Sequence, residues 1–322
     1  MTLTFDEVKL GVDTHLQALQ RLKNITGDKT YSSLCKLRST FWELANPSVL
    51  GVYLVREGFG QVFLDLWKRL SKYLTKQRDS SGYRNVIALL GLSITASDKS
   101  KEFGDELIRL GWAAILLDII KQQDLDDEIR ALYLLGGLFN CIRMSSGNRD
   151  AYRKAKAIGV LQPLLTSPNV EIQTNALIVL AYVVNEKERE ILATSESGLK
   201  QLLTVLNNGV DSPDHRAATG CSSYTMLETL DAINQLAIND TSKAEIARQG
   251  AIPAIVRMLD DDFSDQEHRV ALEALWNLAF VDSIRNSEVM QLTIPSKCCV
   301  RGRFKTQPPL ARRSVRPKDN RP

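Results

Sequence analysis

The chain repeats itself at intervals of forty-odd residues, and no other feature limits its fold as tightly. Five apolar blocks of the form Ala-Leu/Ile-x-x-Leu begin at Ala88, Ala131, Ala176, Ala232 and Ala274, so successive blocks start 43, 45, 56 and 42 residues apart. Periods of this size belong to stacked-helix arrays. A unit this small cannot bury its own apolar face, so neighbouring units share one long core and leave an extended flank instead of a closed cleft. The expected function is therefore binding.

A second marker lies between the blocks. Gly58, Gly111, Gly159, Gly198 and Gly250 each precede a short apolar stretch, and glycine suits a sharp bend between helices because it accepts backbone angles other residues avoid. Each repeat then reads as three helices. In the last complete unit these run over Lys243 to Gln249, Ile252 to Leu259, and onward from Ser264, where Ser264 and Glu267 form a capping box. Along the third helix Val270, Leu272, Leu275, Trp276 and Leu278 keep a helical period. Asn185 with Glu188 reads as a similar box, and Ser167 with Pro168 as the start of another long helix. Nothing reads as a strand. At the N-terminus Phe5, Val8, Val12, Leu16, Leu19 and Leu22 form a helical stripe behind Thr4 and Glu7, giving a helical cap over residues 1–34. Trp42, Trp67, Trp112 and Trp276 read as core or inter-repeat packing.

Gly, Ala/Val/Leu, Ile/Leu, Pro, Leu-Leu, a polar turn and a long helix ending in Ala-Leu-x-Asn-Leu-Ala together resemble the armadillo repeat. Gly250 through Phe280 is the fullest copy, and Ile158 through Tyr182 a second. The resemblance implies an all-α, right-handed α-solenoid of about five to six repeats over residues 35–293, the last incomplete. A narrower likeness rests on Ser212-Pro213-Asp214-His215-Arg216, Gly220-Cys221-Ser222-Ser223-Tyr224 and the segment from Ala232 to Asp240. These are similar to armadillo regions of invertebrate signalling proteins in which the solenoid precedes a TIR domain. No such domain is seen in this sequence, so no effector activity is carried over with the likeness.

In importin-like armadillo proteins the third helices line a groove where asparagines, with tryptophans one turn earlier, grip a basic peptide. Aligning the five blocks puts that ladder at Gly91, Leu134, Val179, Gln235 and Asn277, preceded by Ile87, Arg130, Asn175, Asp231 and Glu273. Only Asn277 fits, which argues against nuclear-signal binding of that kind. A mixed groove of Arg130, Asn175, Asp231, Gln235, Glu273 and Asn277 is the candidate site for a protein partner. The long interval reflects a surplus from Asn207 to Ser223, read as a projecting loop, with a smaller one from Lys76 to Gly82.

Catalysis has no residue set behind it. Phosphate-cradling loops, nucleophile elbows and zinc-protease motifs are missing, and His15, His215 and His268 sit far apart in polar stretches expected to face solvent. The five cysteines, Cys35, Cys141, Cys221, Cys298 and Cys299, lack metal or redox spacing. The expectation is a non-enzyme without cofactor or metal. The first residues show no secretory signal and no apolar run reaches membrane-spanning length, which points to the cytoplasm, with the nucleus as alternative.

From Ile294 to Pro322 nine Lys or Arg face one Asp, a net +8, which leaves −5 for the remainder of a chain whose total is +3. Five prolines and few aliphatics make this stretch read as a disordered basic tail. Its cluster Arg312, Arg313, Arg316 and Lys318 suits a polyanion or an import receptor, although nucleic acid is the less favoured partner. Because the repeat pattern breaks off after Leu292, Leu275, Leu278, Val289, Met290 and Leu292 are expected to border an unfinished core, a basis for self-association.

Overall fold

The computed structural model describes residues 2–280, apart from 77, 79, 123–127, 195, 220–221 and 238–239. Sixteen α-helices account for most of these residues. They are α1 (Phe5–Gln20), α2 (Asp28–Glu43), α3 (Ser48–Arg56), α4 (Phe59–Leu70), α5 (Ser81–Lys99), α6 (Lys101–Arg109), α7 (Trp112–Gln122) and α8 (Glu128–Arg143), then α9 (Arg149–Lys154), α10 (Ala157–Leu161), α11 (Val170–Val183), α12 (Glu196–Val210), α13 (Met226–Leu236), α14 (Asp240–Arg248), α15 (Ala251–Arg257) and α16 (Asp265–Leu278).

The three-helix unit recurs as α3-α4-α5, α6-α7-α8, α9-α10-α11 and α14-α15-α16. In the fourth unit a 3-10 segment, Glu186–Thr194, stands in place of the first helix before α12 and α13. The long helices α2, α5, α8, α11, α13 and α16 lie side by side, each packed on the next, while α3 packs on α6, α7 on α10 and α12 on α15 behind them. This is a right-handed α-solenoid.

The bends follow from local chemistry. Gly58, Gly111 and Gly250 adopt φ of 71°, 88° and 89°, a left-handed conformation in which a Cβ would be strained. Gly159 and Gly198, expected to serve the same purpose, instead lie inside α10 and α12. Lys156 takes the left-handed position in the third unit, with φ of 59°. Ser264 and Glu267 do form a capping box for α16, as Thr4 and Glu7 do for α1. The third unit differs from expectation: Asn169, not Ser167, caps α11, its Oδ1 accepting from the backbone N–H of Glu171 (2.8 Å) and Ile172 (3.2 Å). Asn185 and Glu188 exchange hydrogen bonds locally but open the 3-10 segment rather than an α-helix.

Inter-unit packing is close. Trp112 is fully buried and meets Phe63 and Trp67 edge-on at 4.9 and 4.8 Å. Where α3 crosses α6, a Cβ added at Gly51 would lie 2.1 Å from the Cβ of Ser100. Val12, Leu16 and Leu19 of α1 are buried, and Leu3 bridges to Leu44, fastening the N-terminal segment to the end of α2. The expected cap boundary at residue 34 falls within α2.

Several expectations need correction. Two short antiparallel strands, β1 (Arg216–Thr219) and β2 (Ser222–Thr225), form a hairpin where a loop was expected. Ala217 and Tyr224 pair across it and are buried, and four-residue strands are too short to display an alternation in sequence. Neither His268 nor His215 is surface filler: His268 is buried with Nε2 2.8 Å from the carbonyl of Asp260, and His215 stacks on Phe263 at 4.1 Å. His15 is half-buried with Nδ1 3.2 Å from the Ser33 hydroxyl. Trp67 and Trp112 belong to the core, whereas Trp42 and Trp276 are exposed. Leu275 and Leu278 are fully buried, while Val289, Met290, Leu292 and the basic tail with Arg312, Arg313, Arg316 and Lys318 lie outside the described residues.

Candidate functional site

The row of long helices carries two adjoining cavities. The first, of about 520 Å³, opens between α2, the start of α5 and Tyr133 of α8, with Tyr31, Arg38, Arg78, Tyr83 and Arg84 in its walls. The second, of about 300 Å³, is lined by Arg38 and Trp42 of α2, Asp98 of α5, Tyr133, Gly136 and Asn140 of α8, Asn175 of α11, Arg216 and Tyr224 of the hairpin, and Glu228 of α13. Arg38 and Tyr133 belong to both, which joins them into one groove.

An ionic hub stands on this face. Arg143, at the end of α8, donates to Asp98 at 2.8 Å and approaches Glu228 at 3.4 Å, with every side chain less than one-fifth exposed. Its guanidinium lies 5.6 Å from the centre of the Phe139 ring. Burial pushes the Asp231 carboxyl above the usual aspartate range, Glu273 and Glu228 add to the rise, and Arg143 and Arg269 oppose it. Burial also drives the Tyr182 phenol well upward, with Asp231 contributing, and its hydroxyl has no hydrogen-bond partner among the described residues. Beside the hub, Lys99 sits 4.3 Å over the exposed Trp42 ring and 2.9 Å from Asp98.

The hairpin closes one side of this face. His215 has φ of 52°, and its Nδ1 lies 3.2 Å from Glu267, which ties the hairpin base to α16. Hydrogen bonds from Ser264, together with His215, hold the Glu267 carboxyl below its ordinary range even though burial acts in the opposite direction. Thr225 and Glu228 then form the capping box that starts α13, so one carboxylate both ends the hairpin and faces Arg143.

The six residues expected to form the site are distributed unevenly. Asn175 lines the second cavity and donates from Nδ2 to the carbonyl of Glu171 at 2.9 Å. Asp231 belongs to the ionic hub, and Glu273, exposed on α16, is within its field. Asn277 donates to Asn234 Oδ1 at 3.4 Å between α16 and α13, with Gln235 half-buried nearby in sequence. Arg130 is turned to the Leu74 carbonyl at 3.2 Å, which places it among the ties between α8 and the preceding unit. The aligned ladder positions Leu134 and Val179 are fully buried. The alignment reached the groove at Ile87, Gly91 and Asn175 but the core at Leu134 and Val179, and the groove face of α8 is carried by Tyr133, Gly136 and Asn140. Arg38, Trp42, Arg84, Arg143 and Glu228 were missed. Arg38 and Trp42 are one helical turn apart, a spacing visible in the sequence once α2 is counted as a member of the row.

Among the described residues no group of three His, Cys, Asp or Glu could hold a metal ion, and no helix is long and apolar enough to cross a membrane. No family model matches the chain. An engineered protein of known structure is similar at 18% identity over 87% of this chain, with a TM-score of 0.50, and the chain spans 61% of that protein's length. A designed armadillo repeat protein is 17% identical over 83% of this chain and 99% of its own, with a TM-score of 0.48. Another, crystallised with the peptide (KR)4, is 17% identical over the same shares, with a TM-score of 0.46. At such identities the likeness concerns architecture alone.

Proposed function

We propose that the protein is a non-enzymatic scaffold that binds an extended segment of a partner protein along its row of long helices. The observation that carries this reading is the continuity of the groove: residues of α2, α5, α8, α11, α13 and the hairpin converge on two cavities that share Arg38 and Tyr133. Half-exposed aromatic and ionic side chains on rigid helices suit recognition of an extended chain. Cys35 and Cys141 are free thiols, which agrees with a reducing compartment such as the cytoplasm or nucleus.

Gly136→Arg tests the groove. A Cβ at Gly136 meets nothing nearer than Ile94 Cδ1 at 3.8 Å, so the longer side chain enters the second cavity without disturbing the core. Partners captured by the wild-type chain should be lost by this variant and kept by Lys68→Glu on the outer helix α4. Equal capture by all three proteins would refute binding through this face.

A further inference from the structure

The groove is cationic at one end and of mixed charge at the other. Arg38, Arg78 and Arg84 are the charged residues lining the first cavity, and its described lining includes no carboxylate. Toward α13 and α16 the charges are mixed, with Asp98, Glu228, Asp231 and Glu273 among Lys99, Arg143, Arg216 and Arg269.

Arg38 and Arg84 are held in place by contacts that leave each guanidinium further donors. Arg38 donates from Nε to Thr95 Oγ1 at 3.1 Å and lies flat against α5 over Gly91, where a Cβ would come within 2.9 Å of its Nη1. That glycine is what admits the guanidinium to its seat. Arg84 lies 4.5 Å over the Tyr31 ring, and its ion pair is with Asp28, whose side chain is 92% exposed. A pair so open to water is weak and readily exchanged for another anion. The cavity also takes in the first turn of α5 at Ser81 and Tyr83, where the helix dipole favours negative charge.

We infer that this cavity receives a phosphorylated side chain of the partner segment. The inference rests on the scaffold reading above. Phosphate is preferred to a carboxylate because it carries close to two charges and three strong acceptor oxygens, enough for several guanidinium groups at once. A cavity of about 520 Å³ holds a phosphorylated side chain, and the Tyr31, Tyr83 and Tyr133 rings flank its stem.

The test uses the full chain and fluorescence anisotropy with degenerate labelled peptide pools that differ only at a central residue: phosphotyrosine, phosphoserine, or the unmodified side chain. A phosphorylated pool should bind at least ~10-fold more tightly than its unmodified counterpart, from the strength of charge-assisted hydrogen bonds. Arg38→Gln and Arg84→Gln should each remove most of that preference, measured as the ratio of phosphorylated to unmodified affinity, with the helical circular dichroism as in the wild type. Equal affinity for all pools, with binding abolished by Gly136→Arg, would overturn the phosphate site and leave the groove standing. Binding indifferent to Gly136→Arg, or no binding of any pool, would overturn both. A preference surviving in the double arginine variant, or stronger displacement by ATP or by phosphatidylserine vesicles than by the phosphopeptide itself, would also overturn the inference.

Discussion

Two glycine-to-alanine substitutions should change stability in opposite directions, although both sit in helix interiors and share the same gain in helix propensity, about 1 kcal/mol. At Gly51 the new methyl would stand 2.1 Å from Ser100 Cβ and 2.2 Å from its Oγ. Ser100 is fully buried and caps α6 by accepting from the Phe103 N–H at 3.3 Å, so no rotamer change clears the clash and α3 must move off α6. Overpacking of this kind costs about 1–3 kcal/mol, and loss of the cap about 1 kcal/mol more. After the propensity gain, Gly51→Ala should lose about 1–3 kcal/mol. At Gly136 nothing stands within 3.8 Å of the new methyl, and the gain survives as about 0.5–1 kcal/mol. Urea unfolding followed by far-UV circular dichroism should order the midpoints as Gly136→Ala above wild type above Gly51→Ala. If Gly51→Ala is as stable as the wild type, the inter-unit spacing is not set by that contact and the packing argument fails.

Asp231→Asn should stabilise the chain at neutral pH. Burial raises the folded-state carboxyl above its unfolded value, so the cost of ionising it is absent in acid, grows as pH rises through that interval and is complete at neutrality. The gain, up to about 1 kcal/mol, should vanish below about pH 4 in denaturation midpoints measured across pH. Cys141 is buried and its thiol is pushed up to about 12, so mapping by mass spectrometry after brief iodoacetamide treatment should find Cys35 modified and Cys141 protected until the chain unfolds. Ser264→Ala removes one arm of the α16 capping box and should cost about 1 kcal/mol, with faster amide exchange confined to the first turn of that helix.

The fold was legible because burial enforces period. The Ala-Leu-x-x-Leu blocks sit on α5, α8, α11, α13 and α16, whose apolar faces must meet their neighbours, and no other arrangement satisfies them all. The groove was less legible for the same reason: a pattern found through buried residues identifies the face opposite to the one that contacts a ligand. Among the aligned positions Gly91 lines the second cavity, whereas Leu134 and Val179 are fully buried, one position beyond the groove-facing Tyr133 in the first case. Arg143 and Glu228 were invisible because their meeting joins α8 to α13 across a whole intervening unit. The hairpin gave no signal because its two buried residues, Ala217 and Tyr224, are too few to set a rhythm. Lys156 shows that a left-handed bend does not require glycine when surrounding packing fixes it.

Because each long helix packs on the next in its row, the seams between them act like springs connected in series. A small yield at every seam adds to a sizeable stretch from end to end, while no individual contact departs far from its resting distance. Tension on the two ends would therefore lengthen the interval between Arg84 and Glu273 gradually, without any one joint giving way.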